Sequence, residues 1–271
     1  MELKISQLVI YPIKSMGGIS LSASIVEPRG LQYDRRWMLV DERGRFISQR
    51  ETSILALFRI RLKENALDVE LLYDSNKGIH IPFLTIEEIA RSSRMTVSVW
   101  DDSCEAIAYP DHINQWFSSR IEMPCTLVYM PDDSSRQIDP DYASAGEITS
   151  FSDGYPVLMI GQSSLDDLNS RMESPIPMNR FRPNIVFTGG QPFLEDSITN
   201  FEINECKMLG VKRCARCNIP TIDQDTTLTN NEFTAILASY RLINNKLLFG
   251  QNVIIKTFGE IHVGNLIAIP D

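Results

Sequence analysis

Near the C-terminal end of the chain, Arg213-Cys214-Ala215-Arg216-Cys217 sets two thiols among guanidinium groups, and Thr221-Ile222-Asp223-Gln224-Asp225-Thr226 follows. Nearby positive charge favours thiolate, the form of cysteine that attacks electrophiles and ligates metals. Alone, the Cys214-x-x-Cys217 spacing fits three readings. A structural zinc site takes four Cys or His ligands, and Cys206 and His262 could complete one, at spacings unlike the usual zinc patterns. A redox pair needs the motif at a strand-to-helix turn in a βαβ setting, whereas Asn218-Ile219-Pro220 follows here in an apparently antiparallel fold. Two unrelated buried cysteines are the plainest reading.

Other segments offer charge. Lys14-Ser15 lies in Tyr11-Pro12-Ile13-Lys14-Ser15-Met16-Gly17-Gly18 just after the first strand. A lysine and small residues in a turn can present charge and backbone N–H groups to an anion. Asp34-Arg35-Arg36-Trp37 and Asn179-Arg180-Phe181-Arg182-Pro183-Asn184 each put guanidinium groups at the start of a strand, and guanidinium grips phosphate with two parallel bonds. Taken alone, Lys14-Ser15 reads first as an ordinary surface turn, and the two arginine segments are equally compatible with solvated strand ends. His80, His112 and His262 have no ligand-like spacing.

The elements that must position these groups are mostly strands. Trp37–Val40 and Arg45–Ser48 flank Asp41-Glu42-Arg43-Gly44, which suits a hairpin loop. Leu57–Leu62 and Leu67–Leu71 alternate apolar with polar across Lys63-Glu64-Asn65, the period of half-buried strands. Met95–Trp100 and Glu105–Tyr109 form a further expected pair. A helix follows, with Ile113, Trp116, Phe117 and Ile121 on one face. Between about Pro131 and Gly154 the chain is polar and aperiodic, a length of loop that is often functional and otherwise a solvated connector. Pro156–Ile160 is an apolar strand, and Ser163-Ser164-Leu165-Asp166 predicts a capping box at the start of the next helix. Asn184–Phe187 is another strand, Thr229-Asn230-Asn231-Glu232 opens a second capped helix, and strands at Val253–Lys256 and Leu266–Ile269 close the chain.

The chain has 271 residues, 43% hydrophobic and 23% charged, which is ordinary for a globular protein with a sizeable core. A formal net charge of -9 argues against nucleic acid as the main partner. There is no secretion-signal pattern at the N-terminus and no apolar run near the roughly 20 residues that span a bilayer, so a cytoplasmic protein without a membrane partner is expected. Five cysteines, unevenly spaced, suit reduced thiols better than a disulfide scaffold.

Five segments occur in order across nearly the whole chain: Tyr11-Pro12-Ile13-Lys14-Ser15; Gly30 to Trp37, of the form G-L-x-x-D-R-x-W; Arg180 to Val186, R-F-R-P-N-I-V; Cys214 to Thr226; and Phe249-Gly250-Gln251. The set resembles the family in which a molybdenum cofactor sulfurase C-terminal (MOSC) domain follows an N-terminal β-barrel partner, that of the mitochondrial amidoxime-reducing component and its bacterial relatives. The resemblance implies a mainly β, barrel-like fold with a few helices, the N-terminal domain spanning 1–120 and the MOSC domain 121–271. It also implies a molybdenum cofactor (Mo-molybdopterin). Cys217 would ligate the metal, and Lys14, Ser15, Arg35, Gly154, Tyr155, Arg182, Asn184, Arg216 and Asn252 would contact the cofactor. Asp153 falls where relatives carry an acidic residue near the metal, which could relay protons; the alternative is an aspartate that merely fixes a turn. Cys214 becomes support, and Asp223 and Asp225 shape the loop after Cys217.

The activity so implied is reduction of N-hydroxylated compounds: hydroxylamines, amidoximes or N-hydroxylated bases. The chain ends at Asp271 without a fused iron–sulfur segment, so electrons are expected from a separate protein, ferredoxin-like or a flavin reductase. A cofactor or sulfur carrier without turnover of its own is the alternative. The sequence departs from the relatives' T-T-x-D-P-D-T-G at Pro220 to Thr227, and Asn252 stands where they have an aromatic residue.

Overall fold

The computed structural model describes residues 2–74 and 78–270. Strands dominate, with four α-helices among the described residues: α1 Ile86–Arg91, α2 Asp111–Ile121, α3 Gln162–Asn169 and α4 Glu232–Arg241. None is long and apolar enough to cross a membrane. The largest sheet has eight strands, in the order Asn200–Ile203, Cys206–Ala215, Lys246–Ile255, Val157–Gly161, Ile185–Thr188, Lys4–Ile10 and Ile19–Leu21, with Leu242–Ile243 also paired to Lys246–Ile255. The first strand pairs antiparallel with Ile185–Thr188, Leu8 opposite Ile185, so both ends of the chain build one sheet. Val157–Gly161 and Ile185–Thr188 run parallel. Parallel neighbours need a crossover connection, which α3 supplies, so the fold is not antiparallel throughout.

Two smaller sheets follow the alternating patterns. Phe58–Lys63, Ala66–Leu71 and Ile79–Pro82 form a meander. Trp37–Val40, Thr126–Tyr129, Asp102–Ala108 and Arg94–Val99 form the second. A last sheet joins Gly259–His262, Ala23–Glu27 and Gly30–Leu31. Two expected strands are reduced to bridges. Arg45–Ser48 shares its backbone between two neighbours, Phe46 bridging Val40 and Arg45 bridging Ser98, while Leu266 and Ala268 bridge Lys4 and Glu202.

The predicted capping box is absent, and so is the expected side-chain cap of the second helix. α3 begins at Gln162 behind Gly161 with no side-chain cap, which puts Ser163, the expected cap, inside the helix, while the Ser164 hydroxyl donates to the buried Glu195 carboxylate at 2.8 Å. α4 also lacks a side-chain cap on Asn231; Asn230 Oδ1 accepts from Glu232 N at 2.8 Å. A full capping box does occur at Thr85 and Glu88 of α1.

Two apolar cores flank the site. Trp37, Phe58 and Phe117 anchor one, with the Trp37 indole N–H donating to Tyr109 Oη at 3.0 Å. Leu8, Met159, Phe187 and Val253 belong to the other, on the large sheet; each such side chain contributes about 1.5–3 kcal/mol when fully buried. Gly30 welds the halves together: its φ is 125°, and a Cβ there would meet the Pro156 carbonyl oxygen at 2.6 Å.

Candidate functional site

Cys217, Asp153 and the nine residues expected to contact the cofactor all line one open cleft. Lys14 and Ser15 reach it from the turn after Lys4–Ile10. That turn is pinned by Lys14 N donating to the Trp37 carbonyl at 2.8 Å, and Trp37 N donates to the Pro12 carbonyl at 3.0 Å. Arg35 sits in the next turn, Arg182 and Asn184 precede Ile185–Thr188, and Arg216 and Cys217 follow Cys206–Ala215. Ser15, Arg35 and Arg182 all hold left-handed backbone, with φ of 68°, 49° and 57°. Such residues are uncommon outside glycine and concentrate at functional sites.

One end of the cleft is fully wired. Asp34, 1% exposed, accepts from Tyr11 N at 2.8 Å and from Arg35 Nη1 at 2.5 Å. Burial pushes the Asp34 carboxyl up, and Arg35, the Tyr11 N–H and Asn184 oppose the rise. Asn184 Oδ1 accepts from Arg35 Nη1 at 3.0 Å and from Leu158 N at 3.1 Å, while Nδ2 donates to the Val9 carbonyl at 3.1 Å. The Asn184 amide is thus spent on holding Arg35.

Arg182 is the contrary case. It is 8% exposed, lies over the Tyr11 ring at 4.2 Å, and its guanidinium makes no hydrogen bond or ion pair among the described residues. Burial draws its pKa down to about 10. Arg216 donates to the Phe181 carbonyl at 2.8 Å and to Cys214 Sγ at 3.1 Å, but its Nε, like the Tyr155 hydroxyl, is buried without a hydrogen-bond partner among the described residues. Four cationic side chains line the cleft against one carboxylate, Asp153. Uncompensated buried charge is costly, so these residues fit an anionic group with several acceptor oxygens.

The other end is open. Cys217 is exposed, and its Sγ accepts from Arg50 Nη2 at 3.2 Å. Arg50 stacks over the Trp100 ring at 4.5 Å and approaches Asp153 Oδ2 at 3.7 Å. Asp153 Oδ1 accepts from Lys14 Nζ at 2.6 Å and from Trp100 Nε1 at 3.2 Å. The Asp153 side chain is 60% exposed and that of Lys14 only 6%. Crowding by the cleft wall raises the Asp153 pKa, but Lys14, Arg50 and the indole N–H outweigh it and hold the carboxyl well below the usual range. Burial lowers Lys14 to about 8 despite Asp153. The group nearest its titration point at neutral pH is therefore the ammonium, not the carboxyl.

The long polar segment is anchored on Arg136, 3% exposed, whose guanidinium donates to Asp102 and to the carbonyls of Ser150, Ser152 and Asp153. It thereby positions Asp153. Asp223 Oδ1 receives the N–H groups of Asp225 and Thr226, and Oδ2 pairs with Arg180 at 2.7 Å, so Asp223 shapes its loop. Among the described residues no cluster of three or more His, Cys, Asp or Glu could hold a metal ion, which leaves the four-ligand zinc alternative without a site.

Arg50, Trp100 and Arg136 were not singled out from the sequence. The available signal was a bulky tryptophan before Asp101-Asp102 at a hairpin tip, a poor residue for its φ of 58°. Arg36, by contrast, turns away to the Met130 carbonyl and Asp132.

The MOSC N-terminal beta barrel domain matches residues 2–124 and the MOSC domain residues 147–268. Mitochondrial amidoxime-reducing component 1 of Mus musculus is 32% identical over 96% of this chain and 80% of its own length. The Homo sapiens protein of that name is 29% identical over 96% of this chain and 81% of its own length. Molybdenum cofactor sulfurase of Oryza sativa subsp. japonica is 31% identical over 92% of this chain, which spans only 32% of that protein. The chain belongs to the family of MOSC-domain proteins that includes the mitochondrial amidoxime-reducing components.

Proposed function

We propose that the protein is a molybdenum-cofactor-dependent reductase of N-hydroxylated compounds (hydroxylamines, amidoximes and N-hydroxylated bases), supplied with electrons by a separate ferredoxin-like or flavin-containing protein. One observation carries this: the cleft has a buried guanidinium at Arg182 that is unpaired among the described residues and an accessible thiol at Cys217. Guanidinium suits the phosphate of a pterin cofactor, and thiolate is a soft ligand suited to its metal. When bound, the cofactor supplies the two-electron redox chemistry.

The chain's own residues do the rest. Cys217 would hold the metal, with Arg50 beside its sulfur. Arg35, Arg182, Arg216, Lys14 and Ser15 would hold the anionic portion, with Gly154, Tyr155 and Asn252 along the wall and Asn184 orienting Arg35. Asp153, 2.6 Å from Lys14 Nζ, would relay protons to the substrate, with that ammonium as its partner. The domains would span 1–120 and 121–271, in a cytoplasmic protein.

Protein made in a molybdate-fed host should contain molybdenum by elemental analysis, reduce benzamidoxime with a chemical electron donor, and lose both properties in Cys217→Ala. Full metal and full activity in that variant would overturn the assignment, as would zinc in place of molybdenum. The match of 92% of this chain to a sulfurase supports a second reading, a module that holds the cofactor or a sulfur atom and hands it on. Multiple turnover on a hydroxylamine separates the two.

A further inference from the structure

Beside the cleft lies a second open pocket, its walls including Arg45, Phe46, Ser48, Arg50, Trp100 and Asp101. Arg50 and Trp100 join it to the cleft. The Arg50 guanidinium covers the Trp100 ring at 4.5 Å while its Nη2 reaches Cys217 Sγ at 3.2 Å. One wall residue of the pocket thus touches the sulfur assigned to the metal. Trp100 Nε1 is tied to Asp153 at 3.2 Å, and the Phe46 ring meets the indole edge-on, centroids 4.9 Å apart at 66°. The indole plane is thus fixed from two sides. Yet Trp100 is 49% exposed and sits in left-handed backbone, a conformation costly for a bulky residue. Core packing does not account for such a residue there.

We infer that the Arg50–Trp100 layer, with Phe46 at its corner, is the wall that selects substrate: a planar, delocalised N–O compound such as an amidoxime lies flat against it, and a saturated hydroxylamine does not. The indole already carries a flat, delocalised cation, the Arg50 guanidinium, which has the shape of the amidine that reduction would release. Flat contact of a cation or π-system with an indole is favourable, and it is lost when the carbon bearing nitrogen is tetrahedral. This inference deepens the reductase assignment and rests on it.

The test compares kcat/KM for benzamidoxime and N-cyclohexylhydroxylamine in molybdenum-loaded wild type, Trp100→Ala and Trp100→Phe, and measures benzamidine binding by calorimetry without turnover. In Trp100→Ala the preference for benzamidoxime should fall about tenfold and benzamidine should weaken by a similar factor, the worth of one flat contact. Trp100→Phe, which keeps a ring but loses the bond to Asp153, should retain most of both. Equal losses on the two substrates would overturn the inference, as would unchanged benzamidine affinity in Trp100→Ala or no measurable benzamidine binding by wild type. If loaded wild type turns over neither substrate, the reductase assignment falls instead, and the benzamidine titrations still decide the wall.

Discussion

Arg35 and Arg182 face the same cleft and flank the same tyrosine, 4.5 and 4.2 Å from the Tyr11 ring, yet they differ in what neutralises them. Arg35 has Asp34, Asn184 and a carbonyl; the Arg182 guanidinium has no such partner among the described residues. One guanidinium is part of the scaffold, and the other is charge held ready for a ligand. The same split runs along the whole cleft, from the buried lattice around Asp34 to the open cluster of Cys217, Arg50, Asp153 and Trp100.

The largest effect should come from breaking the wired end. Arg35→Met leaves Asp34 buried and unpaired, and removing one partner of a buried pair costs about 3–5 kcal/mol. Urea unfolding of the ligand-free protein measures it; a loss under about 1 kcal/mol, the range of exposed pairs, would mean that Asp34 is neutralised by other means. Arg182→Met should do the reverse. Stability should hold or rise, because a buried charge lacking a counter-charge has been removed, while affinity for the anionic cofactor falls about tenfold to a hundredfold, the worth of a charged hydrogen bond. Equal destabilisation by the two variants would erase the distinction.

That distinction was only half legible in the sequence. Arg35 and Arg182 both announce themselves as arginines at strand starts, but whether a carboxylate lies opposite depends on packing. Local periodicity located the meander and α2, because those elements each bury one face, and the Trp37 and Val157 strands showed as short apolar runs buried on both faces. It did not find the parallel pair around α3, which is set by a crossover. It also missed Arg50, which lies 167 residues from Cys217 in sequence. The motif resemblance brought the cleft residues together where periodicity could not.

Lys14 sits where the two ends meet, and pH should divide them. Its pKa is about 8, below the ordinary 10.5. Since the folded value is the lower one, the folded chain binds fewer protons than the unfolded chain between these pKa values, and stability should rise with pH across that window. Lys14→Met should flatten that rise in thermal unfolding. Anion affinity should run oppositely, falling above pH 8 as the ammonium is lost, which pyrophosphate titrations at pH 7 and 9 would detect. An affinity that holds steady over that range would remove Lys14 from the anion site.

The smallest effect concerns the loop where this chain leaves the family pattern, with Gln224 in place of proline. Gln224 and Gln49 exchange amide hydrogen bonds at 3.1 and 3.2 Å, and Gln49 Nε2 also donates to the Ser15 carbonyl at 2.6 Å. Both amides are buried. The pair therefore links the loop after Cys217 to the left-handed turn that carries Lys14 and Ser15, a link that proline, without a side-chain amide, cannot make. Gln224→Ala should cost about 1 kcal/mol in unfolding, one buried hydrogen bond's worth. A double-mutant cycle with Gln49→Ala should show coupling of about 0.5 kcal/mol or more if the amides act as a unit. Strict additivity would mean that Gln49 holds Ser15 without help from the loop.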